Sequence, residues 1–208
     1  MPINATTPYR FSFTAASLRP ELLLIVAERF LKSGSWDRTK EQILAANELQ
    51  CRSSASSQRL ERELRQRLQI LSLRQIELLV ASGADTRISL AWFAAVKHST
   101  FLFDFAIEVL RPKLEQYDYV LRESDYRRFI EAKTPSHPEL TALSPKTSAK
   151  VRRVLFAMLR ELGALVKGEE LGLLQRPVVP REVELSIREK DPAWLAAYLV
   201  PEGEIEPR

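Results

Sequence analysis

The chain has 208 residues, 45% hydrophobic and 28% charged, a length and mix that suit one large or two small globular units with a buried core. Six glycines (Gly34, Gly83, Gly163, Gly168, Gly172 and Gly203), one cysteine (Cys51) and two histidines (His98 and His137) exclude phosphate-binding glycine loops, an internal disulfide and a cysteine-based metal cage, and argue against a conventional enzyme. The net charge of +4 is unevenly spread, with five basic against nine acidic residues over 168–208, so a basic body precedes an acidic tail and hints at a polyanionic partner, a solubilising surface being the plainer reading.

Residues 1–10 lack the basic and apolar regions of a signal peptide, so the expectation is a cytoplasmic protein. Ser17 stands before Pro20 and an apolar run reaching Lys32, with Gly34 placed as a C′ glycine, which predicts a first helix. Ser35 caps a second, from Trp36 to about Asn47. Ser53, Ser54, Ser56 and Ser57 offer caps for a third that runs to about Leu71. Ser72, with Gln75 three residues on, forms a capping box for a fourth, stopped by Gly83. Asp85 or Thr86 then opens a central helix ending before Pro112, apolar except for a stripe of Lys97, Thr100, Asp104, Glu108 and Arg111. Its stretch 88–110 is long enough to span a bilayer. Lys97, His98, Asp104 and Glu108 lie within it, however, and each charge at mid-bilayer costs roughly 2.5–3.5 kcal/mol, so a buried bundle helix is expected and no membrane contact.

Beyond Pro112 the elements shorten. Ser124 caps a helix over 125–132, Ser136 and Pro138 begin another over 138–143, and Ser144-Pro145 opens a long one over 146–162, closed by Gly163. Residues 164–166, a Lys167-Gly168 turn and 171–179 read as a two-stranded ribbon, and Pro180 and Pro192 each begin a final short helix. Helix, short helix, long helix and hairpin in that order match a winged helix-turn-helix. The expected fold is therefore all-α: a multi-helix bundle over 1–112, followed over 113–208 by a winged-helix-like module with at most a short β-hairpin.

Two helices carry the candidate chemistry. On a wheel of the third, Leu60, Leu64, Leu68 and Leu71 share one stripe that must face the core. Another sector holds Gln58, Arg59, Arg62, Arg65, Gln66 and Gln69 with no acid, Glu61 and Glu63 falling to either side. Arg and Gln pair bidentately with guanine and adenine edges, and Arg also grips phosphate. Arg52 and the serines at the helix start, Ser53 first among them, suit a phosphate. A solvated face of good helix formers is the alternative. On the long helix, Lys146, Lys150, Arg153 and Arg160 share a face with Ala149 and Ala157, small residues that permit close approach to a duplex. That face spans roughly 21 Å at 1.5 Å per residue, enough to track several phosphates. In the winged-helix reading, Lys146, Thr147 and Lys150 form its groove-entering end. A docking face for an acidic partner is the alternative there. The nucleic-acid set is thus Arg52, Ser53, Arg59, Arg62, Arg65, Gln66, Gln69, Lys146, Thr147, Lys150, Arg153 and Arg160. His98 and His137 read as structural, Asp104 and Glu108 as an ion-pair network with Arg111, Cys51 as a lone loop thiol, and Trp36, Trp92 and Trp194 as packing anchors. No catalytic residue, metal ligand, cofactor or small-molecule substrate is expected.

The pattern of Trp36-Asp37, Asn47, Arg52-Ser53, Ser56-Ser57, Arg59, Leu64 and Arg67-Leu68 resembles the BrxA family of the BREX (bacteriophage exclusion) systems. Asp104-Phe105, Glu108-Val109-Leu110-Arg111, Ser124-Asp125, Phe129, His137-Pro138-Glu139-Leu140, Ser144, Thr147, Lys150, Val154-Leu155-Phe156 and Gly163-Ala164-Leu165 extend the resemblance over most of the chain. It implies a mostly helical, non-catalytic protein that binds double-stranded DNA, is encoded beside a methyltransferase, a phosphatase-like protein and ATPases, and has a helical core similar to the antitermination factor NusB. The intramembrane charges speak against an inner-membrane label attached to the family. The leading expectation is a DNA-binding accessory protein of phage defence. A protein-interaction adaptor that docks other BREX subunits, and an RNA-binding protein like the antitermination factor, stand beside it.

Overall fold

The protein is described by a computed structural model over residues 7–205, so part of the N-terminal stretch used to argue against a signal peptide lies outside the described residues. Helix α1 (Pro20–Ser33) starts with proline at its first turn and closes on Gly34, whose φ of +66° is the left-handed conformation that glycine adopts without penalty. Ser17 does not cap it. Arg19 takes the N-cap position, and the Ser17 hydroxyl donates instead to Glu161, 144 residues away. Helix α2 (Trp36–Ala45) follows, then α3 (Ser54–Gln69), where the Ser53 side chain accepts from the Ser56 N–H. Helix α4 (Leu73–Ala81) begins with both bonds of the Ser72/Gln75 capping box formed.

The central helix expected up to Pro112 is two helices. Helix α5 (Ala84–His98) ends at Ser99, which is extended at φ −129°, and α6 (Thr100–Phe105) begins a helical segment, Thr100–Glu115, that leaves at 109° to it. The reason is local. The Ser99 N–H closes α5 on the Ala95 carbonyl, its own carbonyl accepts from Leu102 and Phe103 to open α6, and its hydroxyl donates to the Arg10 carbonyl at 3.0 Å. A serine whose N–H, carbonyl and hydroxyl are all satisfied by backbone partners out of helical geometry competes well with helix continuation. Nor does Pro112 stop the chain. A π-helical turn (Ala106–Leu110) runs directly into α7 (Arg111–Glu115), and the wider turn relieves the clash a proline ring makes with the preceding turn of an α-helix. Among the described residues no single helix is long and apolar enough to cross a membrane.

Strand β1 (Val120–Leu121) leads into α8 (Glu123–Lys133), started by the Arg122 N–H donating to Asp125 at 2.8 Å rather than by a Ser124 cap. A 3-10 turn (Pro138–Leu140) precedes α9 (Pro145–Glu161), which Ser144 caps and Gly163 follows at φ +80°. Strands β2 (Leu165–Val166) and β3 (Gly172–Leu174) form the expected ribbon, and β1 adds to it in the order β1-β3-β2, all antiparallel. Val120 pairs with Leu173 and Leu121 with Gly172. A Cβ at Gly172 would meet the Val166 carbonyl oxygen at 2.5 Å, so only glycine lets the two strands approach there.

Helix α10 (Arg181–Arg188), a 3-10 stretch (Pro192–Tyr198) and α11 (Glu202–Ile205) return to the first half of the chain. The core holds Leu23, Leu64, Leu68, Trp92, Phe101, Phe105, Leu155 and Leu159 side by side, drawn from both sides of residue 112. Buried polar groups stitch the return: Trp92 Nε1 donates to the Ala197 carbonyl at 3.0 Å, the Tyr198 hydroxyl to the Ser89 carbonyl at 2.7 Å, and Gln75 to the Ser186 carbonyl at 3.3 Å. The fold is mostly helical with one small three-stranded sheet.

Candidate nucleic-acid interface

Leu64 and Leu68 are fully buried, so α3 turns its opposite face outward as the wheel requires. Arg52, Ser53, Arg59, Arg62 and Gln69 are exposed and Gln66 is half-buried. Arg59 and Arg62 form no ion pair or hydrogen bond with any described residue. Arg65 differs. Its Nε lies 2.6 Å from Glu61 Oε1, and the Glu61 side chain is only 1% exposed. The expectation of an acid-free sector therefore fails at this residue. A carboxylate taken out of water needs a cation, and Arg65 stands one turn away on the same helix to supply it.

The next pair along α3 is buried altogether. Arg67, 0% exposed, binds Glu63 at 2.8 Å and donates to the carbonyls of Ala16 at 2.8 Å and Ser17 at 2.7 Å. Burial pulls its pKa down, and the Glu63 carboxylate opposes that pull. The second Glu63 oxygen has no hydrogen-bond partner and faces His98 Nε2 at 3.7 Å. Arg67 escaped the wheel because an arginine beside a leucine stripe reads as a boundary residue. Its signal is the twofold Glu-x-x-x-Arg spacing, Glu61–Arg65 and Glu63–Arg67.

Helix α9 faces inward through Val151, Leu155, Phe156, Met158 and Leu159. Outward it presents Lys146 and Arg153, exposed, with Thr147 and Lys150 half-buried. The Thr147 N–H and hydroxyl are both engaged by Ser144, so Thr147 serves the cap. Arg160 is exposed but tied to the ribbon through the Leu171 carbonyl at 3.0 Å. Lys146, Lys150 and Arg153 have no carboxylate partner among the described residues.

The two cationic faces meet. Segment 16–18 is wedged between the C-terminal ends of α3 and α9: Arg67 holds the Ala16 and Ser17 carbonyls, while Glu161 accepts the Ser17 hydroxyl at 2.6 Å and the Leu18 N–H at 3.1 Å. Towards the other ends, Lys150 is pushed below its ordinary pKa by burial, then by repulsion from Arg59 and Arg153. Arg59 and Lys150 each lie five residues into their helices. So α3 and α9 run in the same direction with segment 16–18 between them, and Arg59 and Lys150 lie near each other across that seam.

The other candidates resolve as structure. His98 lies 3.4 Å from the Ser12 hydroxyl, and His137 stacks on Tyr9 at 3.6 Å with Glu139 on its Nδ1. Asp104 and Glu108 form an ion-pair network, but its cation is Lys133, not Arg111, and the Tyr9 hydroxyl joins it at 2.7 Å. Arg111 pairs with Glu115 and Glu202 instead. Lys133 lies 25 and 29 residues beyond those acids and was invisible to a helix wheel. Trp36 stacks on Phe30, Trp92 is fully buried, and Trp194 packs edge-on against Phe103. Among the described residues no three His, Cys, Asp or Glu side chains are grouped to hold a metal ion.

Fold and site together define a mostly helical protein with a small sheet and a two-helix cationic seam. The BrxA family profile matches residues 7–191, and the chain belongs to the BrxA family. It is 27% identical over 139 residues to the BREX protein BrxA of Escherichia coli O9:H4 (strain HS), a match covering 67% of this chain and 65% of that protein. It is 24% identical over 165 residues to the BREX protein BrxA of Paramagnetospirillum magneticum (strain ATCC 700264 / AMB-1), covering 79% and 83%. The fold is shared with a crystal structure of an uncharacterized protein from Magnetospirillum magneticum, at a TM-score of 0.79 and 22% identity over 93% of this chain and 98% of that one.

Proposed function

We propose that this chain is a non-catalytic, cytoplasmic component of a BREX phage-defence system that binds double-stranded DNA through the seam between α3 and α9, with other BREX subunits as further partners. The observation that carries the reading is that the cations of α3 and α9, Arg59, Lys150 and Arg153 among them, have no carboxylate partner among the described residues, on helices that segment 16–18 bridges. Unneutralised cations repel one another in the free protein, and a phosphate relieves that repulsion. Arg52, Arg62 and Lys146 extend the surface, while Ser53, Gln66, Gln69 and Thr147 border it. Arg65 is left out because Glu61 already holds it. We read residues 113–208 as a winged-helix-like module following the helical bundle of 1–112. The order β1, α8, α9, β2, β3, with β1 on the outer side of β3, supports that reading and makes α9 the recognition helix.

Duplex binding measured against salt tests it. Neutralising about four to six phosphates gives a slope of log K against log salt near −4 to −5. Arg59→Ala with Lys150→Ala is expected to flatten that slope by about 2. A flat dependence for the unaltered protein, or structured RNA of equal length displacing the duplex, overturns the reading.

A further inference from the structure

Winged-helix proteins ordinarily hold DNA with a recognition helix and the tip of the β-ribbon. Here the ribbon is poorly suited to phosphate. Its tip is Lys167-Gly168-Glu169-Glu170, all exposed, and the two carboxylates outweigh the one ammonium. The tip is also tight: a Cβ on Gly168 would meet Leu173 Cγ at 2.4 Å, so Leu173 is folded over the turn. Arg160, the α9 cation tied to the Leu171 carbonyl, is occupied in holding the ribbon. Carboxylates within a Debye length of about 8 Å of a phosphate backbone repel it; Lys167 is the one cation within the tip, and Arg122, which lies near Glu170, is already bound to Asp118.

Helix α3 offers what the ribbon lacks. It runs beside α9 in the same direction, held at the far end by the Ala16–Leu18 segment, and its exposed Arg59 and Arg62 are unpaired. An α-helix with its side chains is about 10–12 Å wide and the major groove of DNA about 12 Å, so one helix fills the groove. A second helix alongside meets the phosphate backbone that borders it.

We propose that the duplex is held by α9 in the groove and α3 on the flanking backbone, with the β2–β3 ribbon turned away from DNA. The assignment rests on the DNA-binding reading above. It makes Arg59 and Arg62 the residues that neutralise backbone phosphates and leaves Glu169 and Glu170 outside the interface.

The test measures duplex affinity across a salt series for three proteins: unaltered, Arg59→Ala/Arg62→Ala, and Glu169→Lys/Glu170→Lys. All four side chains are exposed, so the fold tolerates both changes. The arginine variant is expected to flatten the log–log slope by about 2, at roughly 0.9 for each phosphate no longer neutralised. The ribbon variant is expected to keep the slope and change affinity less than threefold. A ribbon variant that steepens the slope by about 2, or an arginine variant whose slope equals that of the unaltered protein, overturns the assignment while duplex binding itself stands. An unaltered protein without salt-dependent binding removes the underlying reading, and this assignment with it.

Discussion

At the scale of single residues, Arg67 is a buried charge whose loss is costly. It is the largest fully buried side chain after Trp92, and it neutralises a carboxylate that has no other cation within hydrogen-bond distance. Removing one partner of such a pair leaves an uncompensated buried charge, at a cost of about 3–5 kcal/mol, whereas replacing both with apolar groups is often neutral. Arg67→Met is therefore expected to lower the unfolding free energy by about that much in urea, and Arg67→Met/Glu63→Leu to recover most of it. His98 adds a pH term. Burial pushes its pKa below 6.5, Arg67 and Arg10 reinforce the shift, and Glu63 opposes it. The unfolded chain then binds the proton more tightly than the folded one. His98 thus contributes stability that is present above about pH 6.5 and lost as pH falls through that value toward the folded pKa. The urea midpoint is expected to drop between pH 7.5 and 5.5, and His98→Gln to shrink that drop.

At the scale of elements, punctuation made most helices legible. Gly34, Ser53, Ser72 with Gln75, Ser144 and Gly163 act where their chemistry predicts, because caps and left-handed glycines are local devices. What failed depended on distant partners. Ser99 breaks the central helix with help from the Arg10 carbonyl, 89 residues away. Ser17 forgoes capping for Glu161, and the two residues of β1 become a strand only on β3. The candidate site divides the same way. Exposed Arg59, Arg62, Lys146 and Arg153 follow from helical period alone. Arg65 does not, because a wheel records direction and ignores that a long side chain reaches back one turn to a buried acid. That α3 and α9 lie together was likewise beyond any local pattern, since segment 16–18 sets it.

At the scale of the whole molecule, the C-terminal return closes the structure. Trp92, Ser89 and Gln75 all find buried hydrogen-bond partners within residues 186–198, and Thr86 donates to Glu182. Deleting 181–208 strands those groups and uncovers Trp92, a side chain whose exposure forfeits several kcal/mol in its own right. The truncated chain is expected to lose cooperative thermal unfolding, read by circular dichroism, and residues 1–112 expressed alone to behave likewise. A fragment of 1–112 that melts cooperatively instead shows that the bundle stands as an independent unit.

The far-end anchor of the seam has an evolutionary corollary. Arg67 grips carbonyl oxygens of Ala16 and Ser17, and every amino acid supplies one. Within the size limits of its pocket, the identity at 16 is free to drift while the spacing of the two rods is inherited unchanged, whereas Ser17 is also held through its hydroxyl on Glu161, and a shorter or uncharged substitute at 67 is costly unless position 63 changes with it. Selection on the distance between the two helices would then register at a pair of residues that lie outside their exposed cationic faces.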